Sequence, residues 1–418
     1  MLWCISLFNY ADRQAVFSVF PLLEKEMNLD PVQLGLLGTS FAWVYGLSGP
    51  FAGYLVDRMR RRTAVLAGLQ VWSVICSATA LSRTFPQLLF FRAAEGLGES
   101  IYYPASMSMV SDYHGKATRS RAMGIHQTSV YTGTIAGGFF AGLIGQVYGW
   151  RWSFVVFGGL GILLGLVLRK FLIEPERGAA DLADIETPAQ TVSHAPGSFM
   201  DFLKTVARTP TLMLLMAAFL CANFVAVVLL SWMPKFLYDK FHLSLAAAGL
   251  TATLFVQLAS MAGSPLGGWI ADRLRKRSPR GRMLVQFIGV LCGAPFVLLC
   301  GLTQSMVWLI FALTAWGFFK GLYDGNIWAS TFDVIHPDRR GTTVGFMNAI
   351  GWIGGGSAPL IIGMIAKRTS LSYAIAMASA VYVGAAALLL AGILLFVDRD
   401  AERLRKELSL SAASGVLR

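Results

Sequence analysis

Twelve apolar runs, each long enough to cross a bilayer as a helix, limit the fold of this chain more than any other feature. They lie at 1–23, 33–56, 63–82, 86–110, 120–147, 152–172, 210–234, 244–271, 283–303, 306–332, 342–366 and 372–397. Crossing the hydrocarbon core takes about 20 predominantly apolar residues in a helix. A backbone in lipid must also satisfy its own hydrogen bonds, which a helix does within one segment. The composition agrees: 55% of the 418 residues are hydrophobic and 14% are charged, against about 25% charged in a soluble domain. A secreted disulfide scaffold, a disordered chain and an ordinary cytosolic enzyme are thereby excluded. Cys4, Cys76, Cys221, Cys292 and Cys300 all sit in apolar stretches with no C-x-x-C spacing, so neither a disulfide framework nor a zinc site is expected.

The polar breaks set the organisation. Residues 173–209 form the only long connector, containing Glu174-Pro-Glu-Arg-Gly178 followed by Asp181, Asp184 and Glu186. It reads as a cytoplasmic linker between an N-terminal bundle over 1–172 and a C-terminal bundle over 210–397, with a cytoplasmic tail over 398–418. Residues 1–23 read as a retained helix, because Asp12 and Arg13 interrupt the core that a signal peptide would need. The net charge of +12 would suggest nucleic acid in a soluble chain. Here 25 Lys and Arg residues fall on the side of the even-numbered connections and the C-terminus, and 7 on the other. That asymmetry predicts both termini on the cytoplasmic side of a plasma (inner) membrane. It also accounts for the basicity without a nucleic-acid partner.

A repeat links the halves. Gly53-Tyr-Leu-Val-Asp57-Arg58-Met-Arg60-Arg61-Arg62 follows the second span, and Gly268-Trp-Ile-Ala-Asp272-Arg273-Leu-Arg275-Lys276-Arg277 follows the eighth. Repetition at half length is the pattern of a two-bundle transporter. G-x-x-x-D-R followed by basic residues, at both places in a twelve-span chain, resembles the major facilitator superfamily over essentially the whole length. Arg60 stands where that motif usually has a second glycine. The resemblance implies an all-α integral membrane protein with twelve transmembrane helices in two pseudo-symmetric six-helix bundles. Charge pairs around Asp57, Arg58, Asp272 and Arg273 can latch the halves closed on the cytoplasmic side; the plain alternative is topogenic charge alone.

Charges inside the spans are expensive and mark function. Asn9, Asp12 and Arg13 fall in the first span, with Asn9 and Arg13 four apart on one face. Arg92, Glu95 and Glu99 in the fourth span share one helical stripe. Glu95 and Glu99, one turn apart in low dielectric, cannot both ionise cheaply, so the pair behaves as one proton site. A static Arg–Glu clamp between helices is the alternative. In the tenth span Lys320 and Asp324 are four apart, and Asp324 either shares the proton chemistry or neutralises Lys320 permanently. Arg13, Arg92 and Lys320 together suit a carboxylate or phosphate. Tyr103 among the aromatics and Asn348 in the eleventh span are further candidates for contact with a substrate.

N-x-x-D-R in the first span with R-x-x-x-G-x-G-E in the fourth resembles the anion:cation symporter branch, including sugar-acid transporters such as that for galactonate. It is also similar to the Spinster lipid transporters, towards which Ser111-Asp112 leans. The fifth span lacks the G-P pair usual in drug antiporters. The resemblance implies that Arg13 and Arg92 hold the anion and that Asp12 and Glu99 take part in proton coupling. The expected function is symport of a small organic anion with protons by alternating access, complete in one chain and so monomeric. No cofactor or metal is expected. A Spinster-like carrier of lysolipids or other amphipaths is the second reading, and a membrane-embedded sensor or enzyme the third. No H-E-x-x-H, G-x-S-x-G or nucleotide motif supports the last.

Overall fold

A computed structural model describes residues 1–114, 118–174, 205–336 and 339–413, with the side chains of 57, 119, 120, 341 and 410–413 outside the description. Most of the expected linker and the last residues of the tail therefore lie outside the described residues. The first half consists of α1 (Leu2–Ser18), α2 (Phe20–Met27), α3 (Pro31–Arg58), α4 (Arg61–Thr79), α5 (Phe85–Ser100), α6 (Tyr102–Tyr113), α7 (Arg119–Tyr148) and α8 (Trp150–Phe171). The second consists of α9 (Pro210–Phe241), α10 (Leu245–Arg275), α11 (Gly281–Leu302), α12 (Met306–Asp324), α13 (Ile327–Phe332), α14 (Arg340–Arg368), α15 (Leu371–Leu395) and α16 (Val397–Ala413). The twelve expected spans are α1–α2, α3, α4, α5–α6, α7, α8, α9, α10, α11, α12–α13, α14 and α15.

Three spans are broken, and local chemistry explains where. Pro104 has no N–H for the carbonyl of Ser100, and the chain breaks at Ile101 between α5 and α6. Pro21 sits just inside α2, after the break at Val19. Gly325 separates α12 from α13, where a Cβ would stand 2.5 Å from the Ser264 carbonyl oxygen. The fourth and tenth spans, equivalent positions in the two halves, are thus both interrupted. α3 begins with a full capping box: the Asp30 carboxylate accepts from Gln33 N at 2.8 Å, and the Gln33 side chain accepts from Asp30 N at 2.9 Å. Eight segments are long and apolar enough to cross a membrane by composition alone. α1 and α5, which carry Asp12, Arg13, Arg92, Glu95 and Glu99, are not among them.

The described chain divides into two compact units. Among the described residues, the first comprises 1–114 and 118–174 together with 227–254 and 356–371. In its interior Trp72 meets Tyr102 edge-on at 5.3 Å, and the Tyr102 hydroxyl donates to the Leu2 carbonyl at 3.0 Å. These contacts tie α1, α4 and α6 together. α1 also lies hard against α7: a Cβ on Gly133 or Gly137 would stand 2.3 Å from the carbonyl oxygen of Leu7 or Ala11. Glycines four apart on one face permit this close approach, and it fixes the height of Asp12 and Arg13 in the bundle.

Residues 227–254 and 356–371 of the second half belong to this unit because they pack on its helices. Gln14 donates to the Leu230 carbonyl at 2.9 Å, Leu360 N donates to Thr39 Oγ1 at 3.2 Å, and Lys367 donates to Asp30 Oδ2 at 2.7 Å. Lys235 bridges Glu24 and Asp239. These contacts lie between the centre of the unit and the end where residues 28–30 join α2 to α3.

Among the described residues, the second unit comprises 205–226, 255–336, 339–355 and 372–413. Here α16 is tied down at its start: Asp400 accepts from Thr211 N at 2.9 Å, and Arg280 donates to Asp398. The Asp400 carboxylate so satisfies an otherwise orphan amide at the head of α9.

Candidate functional site

The charged residues of the site stand on α1 and α5, and α3 and α4 of the first unit supply its walls. Proximity to α7 sets α1, the Trp72 contacts set α4, and α5 meets α3 closely at Gly96, where a Cβ would stand 2.5 Å from the Phe41 carbonyl oxygen. Asn9, Asp12, Arg13, Arg92, Glu95 and Glu99 are all buried. Arg13 Nε donates to Glu99 Oε2 at 2.5 Å, joining α1 to α5. Arg92 pairs with Glu95 one turn away on α5. Each guanidinium therefore has a carboxylate, as a desolvated charge requires.

Asp12 is the third carboxylate. It is 1% exposed, neither of its oxygens accepts a well-formed hydrogen bond among the described residues, and the Trp72 indole is the polar group beside it. Glu95 and Glu99 are both near enough to act on it electrostatically. Asn9 lies against Glu99. Donor atoms of Asp12, Cys76 and Glu95 fall within 4.8 Å of one another, the group of described residues that most nearly offers a cation its ligands. Positive charge is already supplied there by Arg92.

Aromatic rings enclose the arginines. Arg13 lies over Tyr10 at 4.8 Å, Tyr45 at 4.4 Å and Phe41 at 5.3 Å from the ring centroids, and Arg92 lies over Phe41 at 4.9 Å. Phe41 thus serves both guanidiniums. Tyr103 is half-buried and stands near Tyr45 and Arg13. Sequence reasoning did not single out Tyr10, Phe41, Trp72 or Cys76. The spacing of Phe41 and Tyr45, one helical turn apart, is the signal that could have found two of the wall residues.

The other expected residues fall elsewhere. Lys320 pairs with Asp324 on α12 in the second unit, and Asn348 is exposed on α14. The repeated motifs take the same local form. Arg58 lies over the ring of Tyr54 at 3.9 Å and Arg273 over that of Trp269 at 3.8 Å, each four residues back on its own helix. Asp272 pairs with Arg282 at 2.9 Å, and Arg282 in turn meets Asp333 at 2.8 Å. Gly53 and Gly268 have open space where a Cβ would stand. The side chain of Asp57 lies outside the described residues.

Twelve helical spans with a half-length repeat and buried ion pairs in the first bundle agree with a direct comparison. Residues 2–359 match the model of the Major Facilitator Superfamily. The chain belongs to that superfamily. As a member it is a multi-pass membrane transporter and not an enzyme. It is similar to the hexuronate transporter of Bacillus subtilis, 24% identical over 373 residues covering 88% of this chain and 87% of that protein. It is also similar to spinster homolog 1 of Homo sapiens, 29% identical over 391 residues covering 88% of this chain and 72% of that protein. The probable galactarate/D-glucarate transporter of Bacillus subtilis is 26% identical, covering 88% and 85%. Among solved structures, a bacterial homolog of the human lysosomal transporter Spinster, inward-facing and unoccupied, shares the fold with a TM-score of 0.83 at 23% identity, covering 96% of each chain.

Proposed function

We propose that this transporter carries a small organic anion, a carboxylate or sugar acid, together with a proton by alternating access. The observation that carries the reading is the uneven charge of the buried cluster: two guanidinium groups face three carboxylates. With Arg13 on Glu99 and Arg92 on Glu95, Asp12 is the acid left without a cation. A lone buried carboxylate is neutralised by a proton rather than left charged. The cluster suits a proton better than a metal ion, since Arg92 already holds Glu95.

The exchange follows from this arithmetic. Protonation of Glu99 or Glu95 frees a guanidinium, which then meets the substrate carboxylate. Arg13, walled by Tyr10, Tyr45 and Phe41, supplies a dry site in which a charge-assisted hydrogen bond is strong. Loss of the proton on the opposite side of the membrane returns the acid to the arginine and expels the anion. Asn9 and Tyr103 bond the same substrate. Lys320, Asp324 and Asn348 are its counterparts from the C-terminal bundle over 210–397, which rocks against the bundle over 1–172. Gly53, Asp57, Arg58, Gly268, Asp272 and Arg273 latch the cytoplasmic side. With both termini cytoplasmic in the plasma membrane, the contacts of Asp30 with Lys367 and of Glu24 with Lys235 close the outer side. One chain holds the whole pathway.

A second reading is a Spinster-like carrier of amphipathic anions such as lysolipids. The 29% identity to spinster homolog 1 and the aromatic wall around Arg13 favour it. A thermal-shift screen of the purified protein across sugar acids, dicarboxylates and lysolipids separates the two. Stabilisation by a sugar acid, lost in Arg13→Gln, supports the first. Stabilisation by lysolipids alone replaces it with the second.

A further inference from the structure

A cavity of about 480 Å³ opens between α4 and α8, at the end of the first unit that holds residues 61–62 and 169–174. Its polar side is formed by Arg62, Thr63, Gln70 and Arg169, and its apolar side by Leu66 and Leu166. The neighbouring acids are already engaged. Glu174 accepts the amides of Arg61 and Arg62 at 2.8 and 2.7 Å, capping α4, and Asp112 holds the Arg61 side chain. Gln70 is satisfied by the Ile162 carbonyl at 3.1 Å. Arg62 reaches the carbonyl oxygen of Arg169, yet its Nε is buried with no partner among the described residues. Neither Arg62 nor Arg169 has a carboxylate partner among those residues. Beyond the two arginines the α8 face is apolar and open: Leu163 and Leu166 are 57% and 55% exposed.

We propose that this groove binds one phospholipid with an anionic headgroup. The phosphate sits between the guanidiniums of Arg62 and Arg169, with exposed Lys170 adjoining, and one acyl chain runs along Leu66 and Leu166. Charge complementarity selects the headgroup, since guanidinium groups recognise phosphate through paired hydrogen bonds. The continuous apolar face selects a lipid over a free anion: basic residues at the rim of a hydrophobic helix pair lie at headgroup depth. The site is separate from the buried cluster of α1 and α5 and does not depend on which substrate is carried.

Native mass spectrometry of the full chain, released from mixed micelles holding equal phosphatidylglycerol and phosphatidylcholine, tests the proposal. The wild type should retain one phosphatidylglycerol with about a 30-fold preference, the size expected for two basic side chains at the membrane surface. Arg62→Gln with Arg169→Gln should abolish the preference, and Arg62→Lys with Arg169→Lys should keep most of it. Ala67→Phe, at an exposed position lining the groove, leaves both charges in place but fills the apolar arm. It should lose the retained lipid and decides the matter if the glutamine pair does not fold. An undiminished preference in the glutamine pair or in Ala67→Phe overturns the proposal. So does thermal stabilisation by inorganic phosphate that equals that of phosphatidylglycerol and survives Ala67→Phe, which identifies a free-anion site.

Discussion

Arg13 and Glu99 stand 86 residues apart in the chain, yet Nε of the first donates to Oε2 of the second at 2.5 Å, both side chains being buried. That bond places a cation of α1 on an anion of α5, while Arg92 and Glu95 pair within α5. On the proposed reading, transport of an anion opens these pairs in turn.

The Arg92–Glu95 pair separates binding from scaffolding. Arg92→Gln leaves Glu95 as a buried acid without its cation, a loss of about 3–5 kcal/mol for a broken buried pair. The apparent Tm should fall and uptake should drop about 100-fold, the effect of a lost charged hydrogen bond of up to about 3 kcal/mol. Adding Glu95→Gln should restore the Tm and leave uptake abolished. Recovery of transport in the double variant would show the pair to be a static clamp.

The contact between Asp30 and Lys367 gives a pH dependence of definite sign. The Lys367 ammonium, followed by the Gln33 amide, holds the Asp30 carboxyl below its ordinary value. A carboxyl lowered in the folded protein adds stability above its unfolded value of about 3.9, and that stability is lost as pH falls through the lower folded value. Hydrogen-exchange protection at the start of α3 and the end of α14, corrected for intrinsic rates, should therefore be flat from about pH 5 to 8 and decline below about pH 4. Lys367→Met should lower protection from about pH 5 to 8 and change it little below about pH 4, where Asp30 is already protonated. A decline between pH 5 and 8 in the wild type would mean that another group controls this contact.

Close packing of α1 on α7 predicts an asymmetric pair of glycine variants. A Cβ on Gly137 would lie 2.3 Å from the Ala11 carbonyl oxygen, whereas Gly159 on α8 faces open space. Gly137→Leu must push α1 away and should cost at least about 1–3 kcal/mol, the usual penalty for overpacking. Gly159→Ala should be neutral or gain up to about 1 kcal/mol from helix propensity. Thermal unfolding in detergent checks both; equal midpoints for the two variants would remove the claim that α7 fixes the height of Arg13.

The spans were legible because a bilayer demands about 20 apolar residues in a row, and that demand is one-dimensional. Arg13, Arg92, Asp12, Glu95 and Glu99 stood out for the same reason: each is a charge where none is cheap. Their pairing was not legible. Periodicity places Glu95 and Glu99 on one stripe of α5, but which of them meets Arg13 depends on how far α1 has slid along its neighbours, and the glycine contacts of α7 set that. Phe41 touches both guanidiniums from a third helix, in a segment whose sequence reads as ordinary apolar span. The packing of residues 227–254 and 356–371 within the first unit is likewise a matter of close backbone approach, and glycines in a membrane helix carry no partner label.

Proton movement driven by substrate tests the central claim most directly. Proteoliposomes loaded with a pH-sensitive dye, with no imposed gradient, should acidify inside when a transported sugar acid is added outside. Glu95→Gln with Glu99→Gln should abolish that acidification while retaining substrate counterflow within about 3-fold, since both guanidinium groups are then free to meet the substrate without a proton; a 3-fold change corresponds to less than about 1 kcal/mol of barrier. Substrate uptake without acidification in the wild type, or full acidification in the Glu95→Gln, Glu99→Gln variant, would contradict the account.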